Sequence, residues 1–267
     1  MLRLTATEGL TDEELMELVP SAFTEESSEV VSRLYKHITT STLINDMRSL
    51  GWYAADARQV KARKGNTIGF QKHLIVFMNE DLKIIQNDGE EVYPQILLVN
   101  SHDGRSSFTF IAGLFRMICE NGLIISTQEF KSIKIRHMGY NFEDLQEKIK
   151  YMVENLSVTI EAMERMKDVK MDSKTTFTFV KKALNIRFEK DEMLSISIDY
   201  DELIKPTRDE DKADTLWALY NIIQEKFING NFHYTKNGKL RNARKIMNFN
   251  KDIQINKELF NLAYEYV

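Results

Sequence analysis

The residues best suited to chemistry gather at Asn100-Ser101-His102-Asp103-Gly104-Arg105-Ser106-Ser107. Glycine and hydroxyl residues where a strand gives way to a helix turn backbone N–H groups outward, so this stretch reads as a phosphate or anion site. The structural alternative is a turn in which Asp103 or Ser106 caps the helix and His102 hydrogen-bonds the loop. His73, His102 and His137 with Asp103 are also donor types that suit zinc or manganese, but they fall on separate expected elements and no ligand spacing joins them. Cys119 beside His102 or His137 would form a nucleophilic dyad. A lone cysteine on the apolar side of a helix is, alternatively, a packing residue.

A second chemistry is written in residues 230–251. Lys236, Lys239, Arg241, Arg244, Lys245 and Lys251 occur there without an acid, interleaved with Phe232, Tyr234 and Phe249. Cations that neutralise phosphates beside aromatic rings that stack bases are what single-stranded nucleic acid requires. A smaller basic group, Arg58, Lys61, Arg63 and Lys64, follows Trp52, a further candidate for stacking. Either group alone also reads as a solvated loop face.

The elements that position these residues follow from spacing. Thr39 to Thr42 offer caps for a helix carrying Leu43, Ile44, Met47 and Leu50, which Gly51 stops. Extended segments are expected at Tyr53–Lys64, Phe70–Asn79 and Tyr93–Asn100, as an antiparallel meander. Ser106–Cys119 shows helical spacing in Phe110, Leu114, Phe115 and Ile118, and Ile133–His137 reads as another strand. Phe142–Val169 repeats apolar residues three or four apart, as one long core-facing or coiled-coil helix does. Beyond it, helices are expected at Thr176–Phe188, at Asp211–Phe227 with Asp209 or Asp211 as cap, and at Asn256–Tyr266. The fold class is α+β: an N-terminal antiparallel sheet with flanking helices, a long helix, and a mainly helical C-terminal region. The corresponding segments are an acidic mobile arm at 1–34, an α+β core at 35–140, the helix at 141–170, and a C-terminal part at 171–267.

At 267 residues and 28% charged, with 3 Pro and 11 Gly, the chain is neither disordered nor collagen-like. Its net charge of −4 hides a division, since residues 1–34 hold eight acids against Arg3 and Arg33. The rest is therefore slightly basic, and the acidic arm is placed to cover a basic groove or to mimic nucleic-acid charge. One cysteine excludes an internal disulfide. With no secretory signal and no run of about 18 apolar residues, a cytoplasmic location without a membrane partner is expected. Nucleotide-binding loops, dinucleotide fingerprints, zinc helices and calcium loops are absent, so no cofactor and no metal is expected.

The string Leu98-Val-Asn-Ser-His-Asp-Gly104, then Gly113-Leu-Phe-Arg-Met-Ile-Cys-Glu-Asn-Gly-Leu123 and Ile135-Arg-His137, resembles the phage- and plasmid-related proteins grouped as domain of unknown function 932. Lys212, Thr215-Leu-Trp217, Tyr220-Asn221, Gln224-Glu-Lys226 and Gly230 are similar to that family's second block, so the likeness spans Tyr35 to Tyr266. The element order (a helix ending at Gly51-Trp52, three strands, a helix) is similar to the pairing core of single-strand annealing proteins, which implies a homo-oligomer holding single-stranded DNA. The leading expectation is thus a non-enzymatic nucleic-acid-binding protein acting in replication, recombination or annealing. In it Arg58, Lys61, Arg63, Lys64, Lys236, Lys239, Arg241, Arg244 and Lys245 contact phosphates, Trp52 or Tyr234 stacks bases, and Asn100 to Gly104 order a turn. The alternatives are an enzyme or ligand-binding protein using His102, Asp103, Arg116 and His137, and an interaction protein that oligomerises through the 142–169 helix and binds a host factor.

Overall fold

A computed structural model of the chain describes residues 9–28, 38–61, 68–103, 107–116, 121–124, 133–135 and 140–267. Arg63, Lys64, Gly104, Arg105, Ser106, Cys119 and His137 lie outside the described residues. The chain divides into two compact units, Met1–Leu123 with Gln128–Leu156, and Ile124–Thr127 with Ser157–Val267.

The first unit is built on a mostly consecutive antiparallel sheet. Its strands are β1 (Tyr53–Gln59), β2 (His73–Met78), β3 (Ile84–Ile85), β4 (Glu91–Asn100), β5 (Phe108–Arg116), β6 (Asn121–Ile124) and β7 (Ile133–Ile135), in the order β1-β2-β4-β5-β6, with β3 on β4 and β7 on β5. Every residue of β2 is buried, and so is every residue of β4 but its first. Such near-continuous burial means both faces of the central strands are covered, which their unbroken apolar runs permit.

The expected helix at Ser106–Cys119 is a strand, β5, paired with β4 from Val92↔Arg116 to Val99↔Thr109. Phe110 and Leu114 suit a helix at i, i+4, but Phe108, Phe110, Ala112 and Leu114 suit a strand equally. In an apolar run rich in aromatic and β-branched residues the partner strand decides. The stretch after Asn100 therefore leads from β4 to its antiparallel partner β5, not into a helix. The helix–three strands–helix order that resembled annealing proteins becomes helix followed by at least four strands.

Residues 9–28, part of the expected mobile arm, pack on this sheet. Helix α1 (Asp12–Leu18) opens with a reciprocal Thr11/Glu14 capping box and buries Leu15. Val19 and Ala22 are buried behind it, the Leu10 N–H donates to the Ala54 carbonyl at 2.8 Å, and Asp12 pairs with Arg48 at 2.7 Å. Helix α2 (Thr40–Ser49) is capped by Thr39 and buries Leu43, Ile44 and Met47, as its spacing predicts.

The expected single helix over 142–169 is two, α3 (Phe142–Glu154) and α4 (Leu156–Asp168). At Asn155 the side-chain Nδ2 donates to the Tyr151 carbonyl at 2.7 Å, a local bond that competes with the helix ladder. Leu145, Ile149, Met152, Leu156 and Met163 are buried within the single chain, so the stripe is core rather than an open oligomer seam.

In the second unit, α5 (Ser173–Arg187), α8 (Leu216–Asn229) and α9 (Phe249–Tyr264) pack together. All of α8 but Glu225 and Asn229 is buried, which makes it the central helix; its cap is Thr215 rather than Asp209 or Asp211. Shorter helices α6 (Lys190–Met193) and α7 (Tyr200–Ile204) flank β8 (Ile196–Ile198). This strand joins β9 (His233–Lys236) and β10 (Lys239–Asn242) in a small sheet ordered β10-β9-β8. The α+β class stands: an antiparallel sheet N-terminally, then a mainly helical region. Among the described residues no helix is long and apolar enough to cross a membrane.

Candidate nucleic-acid interface

The His102 cluster is a buried polar lock. Thr40 Oγ1 accepts from Asn100 Nδ2 at 3.0 Å and lies 2.9 Å from His73 Nε2 and 3.1 Å from His102 Nε2. His73 Nδ1 faces the Gln71 carbonyl at 3.1 Å and Ser21 Oγ at 2.9 Å. The carbonyl can only accept, so His73 carries its proton on Nδ1 and receives the Thr40 hydroxyl proton at Nε2. His102 then donates to Thr40 from its own Nε2. Ser21, Thr40, His73, Asn100 and His102 are all buried, and the network ties the end of β4 to the start of α2 and to the segment after α1. Asp103 sits at its edge, accepting from Ser101 Oγ at 2.6 Å.

This geometry does not bring Arg116 to His102 and Asp103. Arg116 is at the far end of the β4–β5 hairpin, opposite Val92, whereas His102 lies just beyond Asn100. Eight residues of strand separate those ends by roughly 26 Å. Arg116 is instead ion-paired with Glu90, their side chains 4% and 5% exposed. The Nε2 atoms of His73 and His102, donors of a type that suits a metal, turn toward one threonine hydroxyl.

Burial pushes the His73 imidazole down to about 4, from an ordinary value of about 6.5. The unfolded chain therefore binds a proton at higher pH than the folded one, and the stability His73 contributes is present above about 6.5 and lost as pH falls toward about 4. The expected loss is about 3 kcal/mol over that window, read as the part of the pH dependence of urea unfolding that disappears in His73→Gln. Identical pH profiles for both chains would refute the assignment.

The basic segment 230–251 folds into the β9–β10 hairpin and the lead into α9. Asn237 and Gly238 take φ of 52° and 73°, the left-handed pair that a two-residue type I′ turn needs. Register places Tyr234 opposite Arg241 and Lys236 opposite Lys239, so alternation gathers these four on one face of the sheet, with Thr235 and Leu240 on the other. Lys239, Arg241, Arg244 and Lys245 are exposed, and none has an acidic partner among the described residues. Lys236 is engaged by Glu192 at 2.6 Å, and its hydrogen bond holds the Glu192 carboxyl below its ordinary range. Phe232 and Phe249 are core residues, leaving Tyr234, half-buried, as the aromatic of the segment that meets solvent beside its cations.

A cavity of about 500 Å³ opens against this face, lined by Arg187, Phe188, Tyr234, Arg241 and Arg244 among others. Arg187, the last residue of α5, sets its guanidinium carbon 5.5 Å from the Phe188 ring centre and donates from Nη2 to the Arg244 carbonyl at 3.1 Å. Phe188 and Tyr234 rings are 5.2 Å apart and tilted by 58°. Sequence reasoning missed Arg187 and Phe188, which no spacing links to residue 241. It also passed over the Asn237-Gly238 hairpin signal, which was legible.

The N-terminal candidates fare differently. Trp52 is 2% exposed, so it is core and not a stacking platform. Arg58 pairs with Asp56 at 2.8 Å, and Lys61 is exposed. These residues belong to the first unit and the basic hairpin to the second.

Among known proteins, UPF0380 protein YafZ and UPF0380 protein YfjQ of Escherichia coli (strain K12) are 29% and 28% identical to this chain over 256 residues, 95% of it and 90% of each relative. No solved structure matches. The family described as Domain of unknown function (DUF932) matches residues 28–260, which agrees with the likeness carried by Leu98–Gly104 and Thr215–Gly230. Because that match takes in most of both units, the chain belongs to the DUF932 family.

Proposed function

We propose that the C-terminal unit binds single-stranded nucleic acid on the Tyr234/Arg241 face of the β8–β9–β10 sheet. The observation that supports this reading is the cross-strand pairing of a half-buried tyrosine with an exposed arginine, continued by Lys239, Arg244 and Lys245 in a segment without acids. Each exposed cation can neutralise a phosphate and release its counterion, and the tyrosine offers a surface on which any base stacks, so binding is tolerant of sequence. The buried His102 lock and the Arg116–Glu90 pair hold the shape of the first unit and take no part in chemistry. The role served is accessory, in replication, recombination or annealing of single strands, by a homo-oligomer.

Fluorescence anisotropy with a labelled oligonucleotide at several salt concentrations tests the reading. Four phosphate contacts predict a slope of about −3 for log affinity against log salt. No binding at micromolar protein in low salt, or a slope near zero, would sink it.

A further inference from the structure

Resting on that reading, we infer that the cavity bounded by the end of α5 and the β9–β10 hairpin is a phosphomonoester pocket, which takes the terminal phosphate of a nucleotide with its base against Tyr234. Three arginines line it, Arg187 from α5, Arg241 from β10 and Arg244 from the segment that follows, and no acidic residue does among the described residues. A phosphodiester within a strand carries a single negative charge, whereas a terminal phosphate carries about −1.5 to −2 near neutral pH and presents more acceptor oxygens. Three planar donor forks match the second better than the first.

The state of Arg187 points the same way. Its Nη2 is held by the Arg244 carbonyl and its guanidinium carbon lies over the Phe188 ring, so the side chain is oriented before any ligand arrives. Its Nε is buried without a hydrogen-bond partner among the described residues, and burial pulls the guanidinium pKa below its ordinary value. A half-buried cation with an unused buried donor is a group that an anion would satisfy. The size agrees: about 500 Å³ is the range of a small-molecule site.

The phosphate can belong to the end of a polynucleotide or to a free nucleotide, and the experiment separates them. Affinities of the full chain are measured at one salt concentration for one sequence as 5′-phosphorylated, 3′-phosphorylated, unphosphorylated and circular single strands, and for adenosine monophosphate. A phosphorylated end binding about tenfold or more tightly than the unphosphorylated and circular forms, with the preference lost in Arg187→Gln and independently in Arg241→Gln, supports the pocket with a strand end as its ligand. Binding of the monophosphate but of no oligonucleotide supports the pocket with a free nucleotide as its ligand and removes the single-strand reading. Equal affinity for all four strands, with no monophosphate binding, overturns the pocket and leaves the single-strand reading intact. No binding of any of them overturns both.

Discussion

Replacing Arg116 by Met, with Glu90 left in place, is expected to lower the free energy of unfolding by about 3–5 kcal/mol, because it strands a buried carboxylate without its cation. Both side chains are almost wholly out of solvent, so water cannot take over the lost partner. The position multiplies the effect. Arg116 closes the β4–β5 pairing opposite Val92, and the Glu90 carbonyl accepts from the Gln86 N–H at 2.8 Å across the turn that precedes β4. Removing both charges together, as Arg116→Met with Glu90→Leu, is expected to recover most of the loss, since an apolar pair of similar volume has no desolvation cost to offset. Urea unfolding of the two single variants and the double gives the coupling directly. Were Arg116 a catalytic residue held in an open site, the single substitution would leave stability within about 0.5 kcal/mol.

The second large effect concerns binding. The combined substitution Lys239→Gln, Arg241→Gln, Arg244→Gln and Lys245→Gln is expected to weaken single-strand affinity on the order of 10²- to 10³-fold at about 0.1 M salt, and to flatten the salt dependence by about three in slope. Both numbers come from the same four counterions, so they must move together. A fall in affinity with an unchanged slope would mean that the substitutions damaged the sheet rather than the phosphate contacts. These side chains are exposed and without acidic partners among the described residues, so the fold loses little. Lys236 is left in place because it serves Glu192.

Much of the fold was legible where one local signal dominated. Thr39 and the Leu43, Ile44, Met47 spacing announced α2, and the apolar runs announced β2 and β4. The errors arose where two periods fit the same residues or where the deciding partner lay far along the chain. Phe108 to Arg116 satisfies both helix and strand until β4 supplies eight paired residues. Leu15, Val19 and Ala22 are too sparse among acids to read as core, yet the sheet buries all of them. The basic segment was recognised by charge, but charge says nothing of register, and register is what sets Arg241 beside Tyr234. Trp52 shows the converse, since an aromatic ring serves a core or a base equally well and only burial distinguishes them. His102 and Arg116 were singled out for their chemistry; their partners Thr40 and Glu90 could not be inferred from spacing.

Strand β10 ends its sheet, and Leu240 on it is 72% exposed. An open edge of this kind is a template on which a second chain can add a strand, and charged side chains along it are the ordinary protection. Lys239 and Arg241 flank Leu240 on that edge, so each answers to two demands. On the proposed function the sign of their charge serves an anionic ligand, while charge of either sign opposes strand addition at this edge. Acids would protect this edge as well as these cations do, whereas apolar residues would leave it open.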